Sequence, residues 1–302
     1  MVFTVRLYRY LNARLRYLVH RGASGNACNL GMVCAYCLSP LTYLEHPMKL
    51  KATSALVLST LLAGTAAMAQ TTAPEPDYTL SYNVGITSDY RFRGIAQTSF
   101  DPALQVGVDF AHKSGFYLGA FASNISWIKD YAGATDGSLE IDLYGGFKGA
   151  ITKDLGFDLG VITYQYPKNT TADVAGLANA NTTEIYGALS YAMFTAKYSR
   201  SVGNFIANAN SSGSQYLEVA ANFDLGSGFT LTPHVGRQTI PNIANDAGDY
   251  TDYSLTLSKD FGNGLSASIA AVGTDAKDAF YKVAPRDNLG KSTVVVGVKY
   301  SF

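Results

Sequence analysis

Charged side chains recur at every second position in several stretches between residues 104 and 302, opposite a run of apolar side chains. This alternation predicts one set of inward-facing charges: Asp109, Glu140, Asp142, Lys148, Glu184, Lys197, Glu218, Asp252 and Lys299. If these side chains face an enclosed lumen, opposite charges could pair and plug it, or separate into acidic and basic walls that select polar solutes. The Gly, Ser, Thr and Ala residues on the same faces favour a narrow open channel, because small side chains leave space.

Arg91 and Arg93 are a second candidate group, flanking Phe92 after the first alternating stretch. If this segment folds inward, the two guanidinium groups form a constriction that attracts anions. Alternatively, they bind lipopolysaccharide phosphates or pair with nearby carboxylates such as Asp89 and Asp101. The sequence leaves both possibilities open.

Hydrolytic chemistry would need a serine and a histidine in hydrogen-bond reach, with a group that orients the histidine. Residues 70–302 contain two histidines, His112 and His234. His112 lies beside a predicted short turn, and no serine motif adjoins His234, so we interpret the latter as a pore-facing or bulge histidine. The sequence contains no GxSxG, HExxH, GxGxxG or P-loop motif. We therefore predict no catalytic residue, no metal and no cofactor.

All three cysteines lie in residues 1–47, at Cys28, Cys34 and Cys37. The last two form a CxxC, but neither a second CxxC nor a histidine pair completes a zinc site, and no βαβ pattern surrounds it. We interpret the spacing as chance. Residues 70–302 contain no cysteine, so that part of the chain has no thiol chemistry.

Residues 48–69 have the layout of a secretory signal peptide: two lysines, a short apolar run and small residues at the end. Cleavage is expected between Ala69 and Gln70, and the apolar run is too short to span a bilayer. We interpret residues 1–47 as a misassigned translation start before Met48, with a basic targeting extension as the alternative. Residues 70–77 are then a short N-terminal segment.

Removing residues 1–69 changes the charge balance. Seven of the 23 basic residues and one of the 23 acidic residues lie there, which leaves 16 basic and 22 acidic residues and a formal net charge of minus six. This acidic balance argues against a general nucleic-acid-binding protein, which would show a basic stripe.

The elements that must position these charges alternate with a period of two, as in YTLSYNVGIT at residues 78–87. About twelve such segments occur, near residues 78–90, 102–113, 115–127, 138–150, 155–166, 183–192, 194–203, 214–225, 228–240, 250–261, 264–274 and 291–302. Each has about the 9 to 11 residues that a tilted strand needs to cross a membrane. Short turns alternate with long polar loops, as in barrels with periplasmic turns and outer loops.

These segments predict an all-β protein, an antiparallel transmembrane β-barrel of about 12 strands over residues 78–302. In hydrocarbon every backbone polar group must be paired, so a sheet survives there by closing on itself. The turn near Ala192 and Met193 has no Gly, Pro or Asn, and without this turn the number of predicted strands falls to ten. Pro233 would remove a ladder hydrogen bond unless it lies at a bulge.

Aromatic residues near the strand ends predict girdles at both bilayer interfaces. They are Tyr78, Tyr90, Phe116, Trp127, Tyr166, Tyr250, Phe261, Tyr300 and Phe302. The final strand, with Tyr300 and a terminal Phe302, resembles the C-terminal signal by which bacterial outer-membrane proteins are recognised for insertion. That resemblance implies the barrel-assembly machinery as a partner.

The segment SYNVGITSDYRFRGIAQTSFDPALQVGVDF at residues 81–110 resembles the start of the TorF family, proteobacterial outer-membrane proteins with an inferred pore activity. Its run SDYRFRG at residues 88–94 is the most distinctive part, and LEIDLYGG at residues 139–146 resembles the next recurring stretch of that family. The resemblance covers residues 70–302 and implies an exported β-barrel.

The function expected from the sequence is a porin in the outer membrane of a Gram-negative bacterium, a passive channel for small hydrophilic solutes or ions. Its expected partners are outer-membrane lipids, lipopolysaccharide and the solutes, with no nucleic acid. The oligomeric state is not predicted. The alternatives are a lipid-acting hydrolase and a plugged structural or adhesive barrel.

Overall fold

The computed structural model describes residues 76–302. The predictions on the extension at 1–47, the signal peptide at 48–69, the cleavage site at Ala69 and Gln70, and the three cysteines lie outside the described residues, as does most of the segment at 70–77. No helix within residues 76–302 is long and apolar enough to cross a membrane.

Fifteen strands follow one another along the described residues. Their bounds are β1 Tyr78–Thr87, β2 Arg91–Phe92, β3 Ile95–Ala96, β4 Ala103–His112, β5 Phe116–Asn124, β6 Leu139–Ala150, β7 Leu155–Gln165, β8 Thr182–Tyr191, β9 Phe194–Ser201, β10 Gln215–Ala221, β11 Phe223–Gly226, β12 Phe229–Thr239, β13 Tyr250–Gly262, β14 Leu265–Thr274 and β15 Thr293–Ser301. β2 and β3 form a separate hairpin, and all other strands belong to one sheet.

That sheet is a closed, antiparallel β-barrel. β1 pairs with both β4 and β15, and the ring closes on the other side where β10 pairs with both β9 and β12. Tyr82 and Phe302 exchange two backbone hydrogen bonds of 2.8 and 2.9 Å, which join the first strand to the end of the last. Because β10 and β11 both pair with β12 in one register, they are two halves of one barrel strand. The barrel therefore has twelve strands, which confirms the predicted fold class.

Pro233 explains the break between β10 and β11. Ala220 is opposite His234 and Phe223 is opposite Leu231, so the register continues unchanged across the gap. Pro233 lies between these pairs and has no N–H to give to the ladder. The chain thus tolerates this proline by interrupting the neighbouring strand rather than by forming a bulge.

The turn predicted from Ala192 and Met193 is confirmed, because β8 ends at Tyr191 and β9 begins at Phe194. Ala192 adopts a positive φ of 50°. All five short turns, together with the two ends of the described chain, lie at one end of the barrel, here called the turn end. The opposite end, here called the loop end, carries six longer connections.

These six loops comprise residues 88–102, 125–138, 166–181, 202–214, 240–249 and 275–292, and are called loops 1 to 6. Loop 2 contains α1 (Trp127–Asp130) and loop 6 contains α2 (Asp278–Tyr281). Loop 1 contains the β2–β3 hairpin.

Apolar side chains project from the outside of the barrel. Leu118, Ile269 and Val296 in the middle of their strands are about half exposed, at 50%, 48% and 50%. Most of the buried apolar residues instead belong to the loops and the loop-end tips of the strands, where Ile95, Ile128 and Tyr166 form one cluster. The loops predicted as polar therefore supply the main apolar core of the described residues.

The aromatic girdle is as predicted only at the turn end. Tyr78, Phe116, Phe261, Tyr300 and Phe302 are all more than 40% exposed on the outer surface. The prediction is wrong at the loop end. Four of the aromatic residues assigned to a girdle there pack inside the barrel mouth: Tyr90, Trp127, Tyr166 and Tyr250. Tyrosine and tryptophan have both an apolar ring and a hydrogen-bonding group, so they are stable both at a bilayer interface and in a hydrogen-bonded interior.

Candidate functional site

The β2–β3 hairpin of loop 1 enters the mouth of the barrel. Arg91 pairs with Ala96 and Phe92 with Ile95, which places Arg93 and Gly94 at the tip. Both tip residues have a positive φ, 49° and 78°. A Cβ added to Gly94 would lie 2.8 Å from the Asp252 Cβ, so the tip contacts the wall at β13. Only glycine allows this approach together with this backbone conformation.

Arg93 reaches across the lumen to the opposite wall. Its Nη2 donates to Glu184 Oε2 at 2.6 Å and its Nη1 to Glu184 Oε1 at 3.1 Å and to Gln238 Oε1 at 2.8 Å. The guanidinium also lies 4.2 Å from the centre of the Tyr216 ring. Glu184 is on β8, five strands away from β1 around the twelve-strand ring. The hairpin thus spans the lumen and is anchored at its far side.

Burial alone would disfavour the positive charge of Arg93, but the ion pair with Glu184 outweighs this effect and holds the pKa of Arg93 above its ordinary value. The two side chains are 8% and 0% exposed. A bidentate arginine–carboxylate pair also fixes the orientation of both planar groups. The ion pair therefore holds the hairpin tip in one position.

Arg91 has a different position, within loop 1. Its Nε donates to Asp89 Oδ2 at 2.7 Å, and its Nη1 donates to the carbonyls of Gly94, Leu289 and Lys291 at 2.8 to 3.1 Å. Burial raises the pKa of the Asp89 carboxyl, and the adjacent guanidinium partly offsets this. Arg91 therefore joins loop 1 to loop 6, and the two candidate arginines act at different places.

The nine charges predicted to face inward form no ion pair with one another. Glu184 pairs with Arg93, and Glu218 and Asp252 lie on either side of His234. Lys148 and Lys197 lie over the rings of Tyr117 and Tyr186, at 5.5 and 4.4 Å. Lys299 makes no salt bridge with a described residue. The three remaining charges of the nine are the carboxylates of Asp109, Glu140 and Asp142.

Tyrosine hydroxyls bind several of these carboxylates. Tyr144 donates to Asp109 at 2.5 Å and Tyr90 donates to Glu140 at 2.5 Å. Asp142 Oδ1 is buried and has no hydrogen-bond partner among the described residues. The set of residues predicted to face inward contains no tyrosine.

Glycines of neighbouring strands make room for these tyrosine rings. A Cβ at Gly119 would collide with the Tyr144 ring, and one at Gly236 would collide with the ring of Tyr216. The same arrangement joins Gly160 to the ring of Tyr186. Glycine on a polar face therefore does not by itself mean empty space, contrary to the expectation from composition.

A polar cavity of about 600 Å³ remains inside the barrel, here called the inner cavity. Its lining includes the hairpin and the inner faces of many strands, with ionisable groups and hydroxyls: Asp89, Arg91, Arg93, Lys197, Glu218, His234, Asp252, Ser254, Thr256 and Ser268. Of the nine predicted charges, Lys197, Glu218 and Asp252 line this cavity.

A second cavity of about 370 Å³ lies among the loops at the loop end, here called the outer cavity. No charged side chain lines it, and its walls include Phe92, Trp127, Tyr131, Val174, Phe205, Ile240, Tyr250, Phe280, Tyr281 and Leu289. Phe92 of the hairpin is the only residue that lines both cavities. The hairpin therefore separates an apolar chamber from a polar one.

His234 does not have the geometry of a hydrolase base. Its Nε2 lies 3.0 Å from Glu218 Oε2 and its Nδ1 lies 3.5 Å from Asp252 Oδ1, so both ring nitrogens face carboxylates. Ser254 is opposite His234 in the β12–β13 ladder but makes no hydrogen bond with it. A nucleophilic serine would need one of these nitrogens to accept the proton of its hydroxyl group.

His112 is half-buried at the turn end, where its Nδ1 lies 2.8 Å from Ser114 Oγ within a short turn. Among the described residues, no cluster of three or more His, Cys, Asp or Glu side chains has the arrangement of a metal site.

Residues 70–302 match the profile of a family described as bacterial protein of unknown function (Gcw_chp). The chain belongs to this family. Its description assigns no activity. The resemblance to the TorF family stays a prediction, and no curated protein matches the chain.

Several solved structures of porins resemble the barrel. The KdgM porin has a TM-score of 0.46 and 8% identity over 74% of this chain and 98% of its own. The NanC porin has a TM-score of 0.47 and 11% identity over 74% and 99%. OprD of Pseudomonas aeruginosa has a TM-score of 0.37 and 14% identity over 74% and 66%. Similarities of this extent carry no argument about the function of this member of the Gcw_chp family.

Proposed function

We propose that this protein is a porin-type channel of the Gram-negative outer membrane, through which small hydrophilic solutes or ions diffuse passively. The observation that carries the proposal is the closed barrel with apolar residues outside and a polar, charged cavity of about 600 Å³ inside. The hairpin of loop 1 makes this a narrow channel rather than a wide pore.

The apolar outer surface supports the membrane location. Closure leaves no open sheet edge, which is the condition for a β-sheet in hydrocarbon. Half-exposed Leu, Ile and Val side chains project outward from the middle of the strands. Contact of these side chains with water would be unfavourable, whereas membrane lipid would cover them. Outer-membrane lipids and lipopolysaccharide are thus the expected surroundings, in agreement with the TorF-like residues 81–110.

The charges of the lumen support passage of ions. The nine inward charges do not neutralise one another, and six of them are acidic: Asp109, Glu140, Asp142, Glu184, Glu218 and Asp252. Arg93 is itself paired with Glu184, so its charge is compensated at the constriction. We expect a modest preference for cations rather than the anion-attracting constriction that the two arginines suggested.

Single-channel recording in a planar bilayer tests this proposal. The refolded protein should give discrete current steps, and a salt gradient should give a reversal potential of the sign expected for cation preference. A folded barrel that inserts but passes no current would contradict the channel. Folding is verified separately by heat-modifiable migration, so that failure to fold is not mistaken for a closed lumen.

A plugged structural or adhesive barrel is the second candidate. It is favoured by the hairpin across the lumen and by the tyrosine rings that fill the glycine positions. The same recording decides between the two, because a plugged barrel remains silent. A lipid-acting hydrolase has no comparable support. Both nitrogens of His234 face carboxylates, and His112, although within reach of Ser114, has no third group among the described residues that orients its ring.

A further inference from the structure

We propose that the outer cavity is a binding site for a small uncharged molecule with an apolar, ring-sized body and one hydrogen-bond acceptor. This inference goes beyond the proposed channel and does not depend on conductance. It concerns a chamber on the other side of the hairpin from the charged lumen.

The first argument is the chemistry of the walls. Seven aromatic side chains, several aliphatic ones and the amides of Gln97 and Asn208 line the outer cavity, and no charged group does, in contrast to the inner cavity. A hydrated ion or sugar would exchange its water there for only a few polar groups, which costs several kcal/mol for each group left unpaired. An apolar molecule is stabilised by the same walls.

The second argument is the size of the cavity and the number of loops that line it. About 370 Å³ is near the lower limit of the 300 to 1,000 Å³ typical of small-molecule sites. Each of the six loops contributes to the lining, for example Val174 of loop 3, Phe205 of loop 4 and Ile240 of loop 5. Such a chamber accommodates one small ring with its substituents.

The third argument is that contacts between loops hold the walls apart. Tyr131 donates to the Asp287 carbonyl at 2.5 Å, and Arg286 pairs with Asp130 at 2.9 Å, which joins loop 2 to loop 6. Tyr281 donates to the Gly248 carbonyl at 2.6 Å, which joins loop 6 to loop 5. Because these walls are braced, the chamber is built into the native loop structure.

Trp127 provides the polar anchor. Its indole lines the cavity, is 8% exposed and packs edge-on against Tyr166 with 5.6 Å between ring centres. The Nε1–H is buried and has no hydrogen-bond partner among the described residues. Buried indole N–H groups usually find an acceptor. No water-sized atom reaches the Nε1 in the present arrangement, so a hydroxyl or carbonyl oxygen on the bound molecule would supply the acceptor once the indole turns its N–H toward the cavity.

Trp127 is the only tryptophan of the chain, so its fluorescence reports on this cavity directly. We would titrate the refolded protein in neutral detergent micelles with 4-bromobenzyl alcohol, whose bromine quenches a tryptophan that it contacts. The charged analogue 4-bromobenzoate is titrated in parallel. We expect saturable quenching by the alcohol and at least about tenfold weaker binding of the anion.

Variants that fill the cavity provide the specific test. Ala132→Phe and Val174→Phe add a ring from two different loops, and each should raise the apparent Kd for the alcohol about tenfold. The matched control is Ala271→Phe, an exposed residue on β14, which should leave the Kd unchanged. Heat-modifiable migration verifies that each variant is folded.

Linear quenching without saturation, or equal quenching in all folded variants, would show that the probe acts from the micelle and would overturn the proposal. If both cavity-filling variants fail to fold, the wild-type protein still decides by two readouts. These are saturation of the quenching by the alcohol and the ratio of the apparent Kd values for the alcohol and the anion. Conductance is recorded independently, so a silent barrel that binds the alcohol would contradict only the channel.

Discussion

Arg93 Nη2 lies 2.6 Å from Glu184 Oε2, so a residue that follows the first barrel strand is ion-paired to the strand on the far side of the lumen. Both side chains are almost completely buried. Removing one partner of a buried ion pair typically costs about 3 to 5 kcal/mol, because the other charge is left uncompensated. The position of the loop 1 hairpin therefore depends on this contact.

Replacing Arg93 should open the channel. Arg93→Ala removes the bidentate anchor, so we expect a higher single-channel conductance and a stronger cation preference, because Glu184 is then unpaired. Arg93→Lys keeps the charge but loses the planar fork, and should have an intermediate effect. The control is Arg237→Ala, whose side chain is 51% exposed. Equal conductance in wild type and Arg93→Ala would show that the hairpin does not limit the current.

Gly94 should tolerate no side chain, because a methyl group there meets both a positive φ and the wall at Asp252. Gly94→Ala should displace the hairpin tip and make loop 1 more sensitive to limited proteolysis. Gly133→Ala is a matched control, since Gly133 has a similar φ of 71° but nothing within 4 Å of the added atom. If the two variants are cleaved at the same rate, backbone strain alone explains the effect.

A charge introduced on the outer face should destabilise the barrel in a bilayer, whereas the same charge at the adjacent inward-facing position should not. Ile269 is 48% exposed in the middle of β14, and Ser268 lines the inner cavity. Ile269→Arg should lower the free energy of unfolding by roughly 2 to 4 kcal/mol, the cost of Arg near the bilayer centre. Ser268→Arg should remain close to wild type. Equilibrium unfolding in lipid vesicles measures both, and equal losses would contradict a lipid-facing outer surface.

Restoring a donor at position 233 should join β10 and β11. Pro233→Val supplies the missing N–H on β12, so the free energy of unfolding should rise by about 0.5 to 1.5 kcal/mol, the usual net value of one hydrogen bond. Pro241→Val in loop 5 serves as the control, because no barrel ladder passes there. Denaturant unfolding measures the difference, and a loss of stability at 233 alone would mean that the interruption is required for packing.

Phe302 should matter more for assembly in cells than for stability. Its ring stacks on Tyr82 and Tyr300 with centres 5.8 and 5.9 Å apart, and such pairs contribute about 0.5 to 1.5 kcal/mol. Phe302→Ala should therefore refold in vitro but accumulate less in the outer membrane, if the C-terminal residues are an assembly signal. Phe261→Ala, at a residue that is also more than half exposed at the turn end, should accumulate normally. Equal amounts of both variants would argue against the signal.

The amino-acid sequence by itself determined the barrel. Alternation of apolar and polar residues is a local property that depends on positions i and i+2, and it located all twelve strands. Twelve strands were found although the turn at Ala192 has no marker, because the alternation on both sides of it sufficed. Pro233 was recognised as an irregularity for an equally local reason, its missing N–H.

Only the tertiary structure decided what lies inside the barrel. Arg93 and Glu184 are 91 positions apart, and no local pattern relates a loop residue to a strand on the far wall. The orientation of Tyr90 and Tyr166 was also undetermined, since a tyrosine at a strand end is stable both at a bilayer interface and in a hydrogen-bonded interior. The loops form the apolar core because six of them meet at one mouth, where each covers the others. The strand pattern specifies where that mouth is, but the way the loops close it depends on packing between distant residues.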